Sequence, residues 1–167
     1  EYELGDKIEN VGKYKLVVTD KAGNETVKEF EIVSKQIEFE LSIDREIEFD
    51  NFEKTANIKV LNAKENDYEI DVRYYIMRED GTFYGPLKVD YAKDLGEYKV
   101  KVVIKSKSEN YIDSITKELR FKIVDTTAPV LTITRNEETN TTYVRGIDLT
   151  KLVYTISKDG KIVHTVD

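Results

Sequence analysis

Strict alternation of apolar and charged side chains is the feature that most restricts what this chain can become. In Ile37-Glu-Phe39-Glu-Leu41-Ser-Ile43, and again in Tyr98-Lys-Val100-Lys-Val102-Val-Ile104, every second residue is apolar. The pattern recurs in Leu119-Arg-Phe121-Lys-Ile123, in Tyr14-Lys-Leu16-Val-Val18 and in Glu29-Phe30-Glu31-Ile32. Only an extended strand places successive side chains on opposite faces, so each run has one apolar and one charged face. No segment sustains a period of 3.6, and the nearest candidate, Ile147 to Leu152, is too short for a helix. Strands of this kind stack as two antiparallel sheets with apolar faces inward. The fold is therefore expected to be all-β, built of antiparallel sandwiches. Asp80-Gly81, Asp159-Gly160 and Ala22-Gly23-Asn24 read as hairpin turns between strands, where glycine takes positive φ without a steric cost.

The chain also repeats itself. Gly12-x-Tyr14-Lys-Leu matches Gly96-x-Tyr98-Lys-Val, Phe30-Glu-Ile-Val33 matches Phe121-Lys-Ile-Val124, and Arg78-Glu-Asp-Gly81 matches Ser157-Lys-Asp-Gly160. The offsets of about 80 to 90 residues are the size of one seven-stranded sandwich. Ser34-Lys35 and Asp125-Thr-Thr-Ala-Pro129 read as linkers, and Pro129 suits one because it cannot donate to a central ladder. Residues 35–125 are thus expected to form a complete module. Residues 1–34 supply the late strands of one module and residues 126–167 the early strands of another. Lys158–Asp167 followed by Glu1–Tyr14 spells the order found in the complete module, so the chain reads as a window on a tandem array, cut within a module. Two explanations stand side by side: covalent repeats on both sides, or separate copies completing one another head to tail.

Composition removes several classes. The 167 residues carry a net charge of −7 with 35% charged residues of both signs, and 40% are hydrophobic. That balance supports a packed core and argues against nucleic acid or an anionic membrane surface, which need clustered cations. No apolar run approaches the length of a membrane span, so no membrane insertion is expected. The absence of Cys excludes disulfides, thiol catalysis and cysteine metal sites.

Gly12-Lys-Tyr14 followed by Thr19-Asp-Lys-Ala-Gly-Asn24 resembles the last hairpin of bacterial immunoglobulin-like surface modules. Asp125-Thr-Thr-Ala-Pro-Val-Leu-Thr-Ile133 resembles the start of the next module in such proteins. The middle module departs from the pattern: Lys105-Ser-Lys-Ser-Glu-Asn110 stands where the Asp-x-Ala-Gly-Asn turn belongs. The resemblance implies tandem immunoglobulin-like modules in an extracellular protein of the bacterial cell surface or cell wall. There they act as non-catalytic spacers, adhesive stalks or filaments, with neighbouring repeats or copies of the chain as partners.

Few residues invite a chemical role. Tyr14 and Tyr98 are expected to bond back to backbone at a strand corner. Tyr74, Tyr75, Phe83, Tyr84 and Tyr91 form the one aromatic cluster. Because neighbours on a strand face opposite sides, Tyr75, Phe83 and Tyr84 are the candidates for stacking on a host or matrix glycan or protein; the other reading is cross-strand pairing that stabilises the hairpin. Asp125 and Asp20 are the candidate calcium ligands, weighed against turn capping, since calcium takes six to eight oxygens. His164, the one histidine, lies in a strand pattern without a second His. Lys15, Lys59, Lys99, Lys101 and Lys122 fall on polar faces, which disfavours an internal Lys–Asn crosslink. Nothing marks the cleft with paired carboxylates that glycosidase chemistry needs, so no enzyme is expected.

Overall fold

The computed structural model describes residues 5–166, and the expected continuation of Asp167 into Glu1–Leu4 involves residues outside that range. Within it the chain is all-β apart from one 3-10 turn, Glu65–Asp67. The first hairpin is β1 (Gly12–Thr19) and β2 (Glu25–Ile32). Nine strands follow: β3 (Lys35–Gln36), β4 (Phe39–Ser42), β5 (Glu46–Glu48), β6 (Asn57–Val60), β7 (Tyr68–Met77), β8 (Phe83–Tyr84), β9 (Gly96–Ser106), β10 (Tyr111–Ile112) and β11 (Lys117–Val124). Two hairpins close the chain: β12 (Val130–Asn136) with β13 (Thr141–Ile147), and β14 (Tyr154–Lys158) with β15 (Lys161–Val166).

The nine middle strands make a β-sandwich. One layer is a five-stranded sheet in the order β5-β11-β9-β7-β8. Across the core lies the antiparallel β4–β6 ladder, and Lys54 and Ala92 form a separate isolated bridge. The strand count differs from the seven expected, because residues 35–48 do not form one strand. Lys35–Gln36 runs parallel to β10, Phe39–Ser42 pairs with β6, and Glu46–Glu48 runs parallel to β11. Splitting the segment this way lets it cover the outer edge of the large sheet, whose N–H and C=O groups would otherwise stay unpaired.

The alternation in β9 sets the core. Val100, Val102 and Ile104 are fully buried, and the intervening lysines point away from them. Tyr74, Phe39, Ile37, Phe121 and Ile123 pack around them. Each such apolar side chain contributes about 1.5–3 kcal/mol relative to exposure. Every member of this core lies between residues 37 and 123.

The same Tyr–Phe unit occurs in the core and in the first hairpin. Tyr98 is opposite Phe121 in the β9–β11 register, with rings stacked at 5.4 Å and 15°. Tyr14 is opposite Phe30 in the β1–β2 register, stacked at 5.2 Å and 15°. The Tyr98 hydroxyl donates to the Asp94 carbonyl at 2.9 Å, and the Tyr14 hydroxyl donates to the Asn10 carbonyl at 2.8 Å, each four residues back. Both tyrosines therefore make the expected corner. Only Tyr98 is buried; Tyr14 is half-buried, because no second sheet covers β1–β2 among the described residues.

Replacing Tyr98 by Phe keeps the stacking and removes one hydrogen bond, so Tyr98→Phe is expected to lower stability by about 0.5–1.5 kcal/mol in urea denaturation. Burial also pushes the Tyr74 and Tyr98 phenols above their ordinary 10.0, with the charge of Asp94 adding to the effect on Tyr98. Their folded values are raised, so their contribution is complete below pH 10 and is lost as pH climbs through the folded values. A stability profile by circular dichroism should fall on that alkaline limb, and less steeply in Tyr98→Phe.

Candidate functional site

The alternation that buries Tyr74 turns Tyr75 to the outer face of the five-stranded sheet. Its register partner on β9 is Lys99, and the partner of Lys99 on β11 is Arg120. Phe83 joins this face from β8, opposite Met77. The aromatic rings are covered by the chain's own cations. Lys99 Nζ sits 5.1 Å from the Tyr75 ring centroid and 4.8 Å from that of Phe83. The Arg120 guanidinium lies 5.0 Å over Phe83, and that of Arg78 lies 4.5 Å over Tyr84. Each contact of this kind is worth about 0.5–1 kcal/mol at an exposed site.

Gly85 brings the chain close behind Tyr75. A Cβ there would stand 2.8 Å from Tyr75 Cδ1 and 3.0 Å from the Tyr74 carbonyl, and φ is 147°, so only glycine fits. Tyr84 is 53% exposed, the most open ring of the three candidates. Beside them runs a groove lined by Arg45, Phe83, Glu97, Arg120 and Lys122. Tyr91 lies on a different segment, next to the Ala92 bridge. His164 is exposed on β15, opposite Ile156.

The two calcium candidates are hydrogen-bond acceptors within their own surroundings. Asp20 Oδ1 accepts from the Ala22 and Asn24 amides at 2.8 and 2.9 Å, and Oδ2 accepts from the Asn24 side chain at 2.9 Å. That is turn capping, and the bonds from Asn24 lead in pulling the Asp20 pKa below its ordinary value. Asp125 Oδ1 accepts from the Thr127 amide at 3.1 Å, and Oδ2 from the Thr150 hydroxyl at 2.9 Å. Among the described residues no group of three or more His, Asp or Glu is gathered as a metal would require.

Asp125 belongs to a second constellation that the sequence did not reveal, at the junction after β11. Glu48 Oε1 accepts from the Thr126 amide at 2.8 Å and the Thr127 hydroxyl at 3.0 Å, and Oε2 accepts from the Thr126 hydroxyl at 2.8 Å. One carboxylate thus holds the linker against the sandwich, while Asp125 reaches forward to Thr150. The junction before β3 is tied similarly. Asn110 Oδ1 accepts from the Val11 amide at 2.8 Å, and its Nδ2 donates to Asn10 at 3.2 Å. Asn110 stands in the loop where the middle module departs from the expected turn. That departure has a structural consequence: the longer loop forms β10, which pairs with β3 and presents Asn110 to the first hairpin. No signal in the sequence joins Glu48 and Asn110 to their partners, which lie 78 to 100 residues away.

Hydrogen bonds from nearby groups pull the carboxyl groups of Asp20, Glu48, Asp50, Asp80 and Asp113 below their ordinary pKa values. These are stabilised anions, the opposite of a general acid held protonated. Among the described residues no helix is long and apolar enough to cross a membrane. No protein-family model matches the chain, and no curated protein sequence matches it.

The Thr126 amide and hydroxyl, followed by the bonds from Thr127, pull Glu48 below its ordinary 4.5. Its contribution to the junction is complete above pH 4.5 and is lost as pH falls through the lowered folded value. Amide NMR shifts of Thr126 and Thr127 should report a step on that acid limb, and Glu48→Gln should remove it.

Proposed function

We propose that this chain is a non-catalytic spacer or stalk segment of immunoglobulin-like modules from a bacterial cell-surface or filament-forming protein. The observation that carries this reading is the pair of tied junctions at opposite ends of one sandwich. Asn110 fixes the chain entering it and Glu48 fixes the chain leaving it. A spacer needs its modules held in line, and short linkers clamped by side chains do that.

Three further features support it. The sheet order β5-β11-β9-β7-β8 with a second ladder opposite suits an immunoglobulin-like sandwich, as does the Tyr98 corner. The Tyr–Phe stack of β9–β11 returns in β1–β2 with the same register and angle, as tandem modules require. Asp20 and Asp125 serve the turn and the junction, so the reading needs no cofactor. Placement outside the cell, at the cell wall, follows from the resemblance of Thr19–Asn24 and Asp125–Ile133 to surface modules.

A second reading is a binding module that takes a host or matrix glycan or protein on Tyr75, Phe83 and Tyr84. The 53% exposure of Tyr84 beside the Arg45–Arg120 groove favours it. Any stacked sugar would have to displace Lys99, Arg78 or Arg120 from the rings, which is why the spacer reading is preferred. On glycan and matrix-protein arrays the wild-type chain and the variants Tyr75→Ala and Tyr84→Ala should all stay blank. A wild-type signal abolished by either variant would establish the binding module instead.

A further inference from the structure

The segment that enters the sandwich and the segment that leaves it lie side by side and run the same way. β3 is parallel to β10 and β5 is parallel to β11, in one continuous register: Lys35 stands opposite Tyr111, Gln36 opposite Ile112, Glu46 opposite Lys122 and Glu48 opposite Val124. Among the described residues every other pair of strands is antiparallel. A short turn can join antiparallel neighbours but not parallel ones, so these two segments meet only because the whole module lies between them.

Bonds join the two segments along their length. The Lys35 amide donates to the Asn110 carbonyl and the Ile37 amide to the Ile112 carbonyl, each at 3.0 Å. Further on, the Lys122 amide donates to the Arg45 carbonyl at 2.9 Å and the Phe49 amide to the Val124 carbonyl at 2.7 Å. Between these points Lys117 Nζ donates to the Phe39 carbonyl, and Lys122 pairs with Glu46 at 2.8 Å. Glu48 takes its bonds from Thr126 and Thr127 just past the last strand pair. A pull on the chain before β3 and after β11 drags the two segments in opposite directions along this line. The bonds of a parallel ladder are evenly spaced, so they share that load and must fail together. Antiparallel neighbours whose adjoining ends are pulled apart open one pair at a time instead. β7 and β9 are such neighbours, with Tyr68 and Ser106 facing each other at the end of their ladder.

We propose that the paired segments 35–48 and 111–127 form a shear-loaded latch that keeps the sandwich folded when the chain is under tension, with Glu48 as its last catch. This deepens the spacer reading, on which it rests for the source of the tension. Forced unfolding is governed by the rate of unfolding and not by equilibrium stability. Exposed side-chain bonds that add little at equilibrium therefore count when they lie in line with the load. The split of residues 35–48 into three strands serves the same end. In the middle of the segment β4 crosses to β6 and sinks Phe39, 2% exposed, into the core. Dragging the segment along its partner would have to pull that ring out.

The chain contains no Cys, so pairs of cysteines introduced into the full chain give unique handles for single-molecule pulling. Val33→Cys with Ala128→Cys loads the parallel segments along their length. Asn66→Cys with Lys107→Cys pulls apart the adjoining ends of β7 and β9. All four positions are exposed, so each handle chain should keep the cooperative melt of the wild type. At one pulling speed the first pair should release the sandwich in a single step, at a higher force than the second pair. Glu48→Ala should lower the force on the first axis and leave the second unchanged. Thr126→Val, which removes only a hydroxyl, should act in the same direction and by less. A first-axis force no higher than the second overturns the proposal. So does a Glu48→Ala chain whose first-axis force is unchanged, or whose force falls equally on both axes. Those failures leave the spacer reading intact, because array binding tests that reading separately.

Discussion

β9 is the element on which the rest of this structure depends. It is hydrogen-bonded along both edges, to β7 and to β11, and its alternation leaves Val100, Val102 and Ile104 without solvent contact. A strand held on both sides cannot slip by one residue without turning its valines outward and its lysines inward. The register of β7 and β11 follows from that constraint. With the register set, Tyr98 meets Phe121, Tyr74 meets Phe121 edge-on, and the Tyr74 hydroxyl accepts the Ala56 amide from the opposite layer at 2.7 Å. The two layers are thereby joined by packing and by a partly buried hydrogen bond.

From this centre the chain leaves in two directions, and both departures are controlled. Charged side chains on the outer face do little for stability, because exposed ion pairs such as Lys122–Glu46 are worth on the order of 0–1 kcal/mol. Their more specific use is at the junctions and over the aromatic rings. Glu48 gathers three hydrogen bonds from two threonines, and Lys99 and Arg120 shield Tyr75 and Phe83 from water. A surface so occupied by its own side chains suits a module that separates other things better than one that grips a ligand.

The long strands were legible in the residues because their period is visible over five residues or more. Ile37–Ile43, Tyr98–Ile104 and Leu119–Ile123 all lie in or beside strands of the sandwich, and the Gly23, Gly81 and Gly160 turns close hairpins. The shorter strands were not legible. Two residues in β3, β8 and β10 hold no period, and β5 pairs only because β11 offers an edge. Lys117 was also hidden: opposite Val102 it lies on the core side, where its Nζ donates to the Phe39 carbonyl at 2.6 Å and sits over the Phe39 ring. Tyr74 and Tyr75 do face opposite sides of the sheet, but Lys99 and Arg120, which cap Tyr75 and Phe83, stand 16 to 37 residues away in sequence, and contacts between strands carry no local mark.

What the sequence determined by itself is local: which residues alternate, where the chain must turn, and that Tyr14 with Phe30 and Tyr98 with Phe121 belong to matching units. Alternation and turn chemistry act over a few residues, so they can be read without knowing the partner strands. What only the tertiary structure decided is which of those matching units is covered among the described residues. Tyr98 and Phe121 are enclosed because β4, β6 and β7 reach them. Tyr14 and Phe30 have the same geometry and remain open, because burial is a property of what lies across the core and not of the strand that faces it.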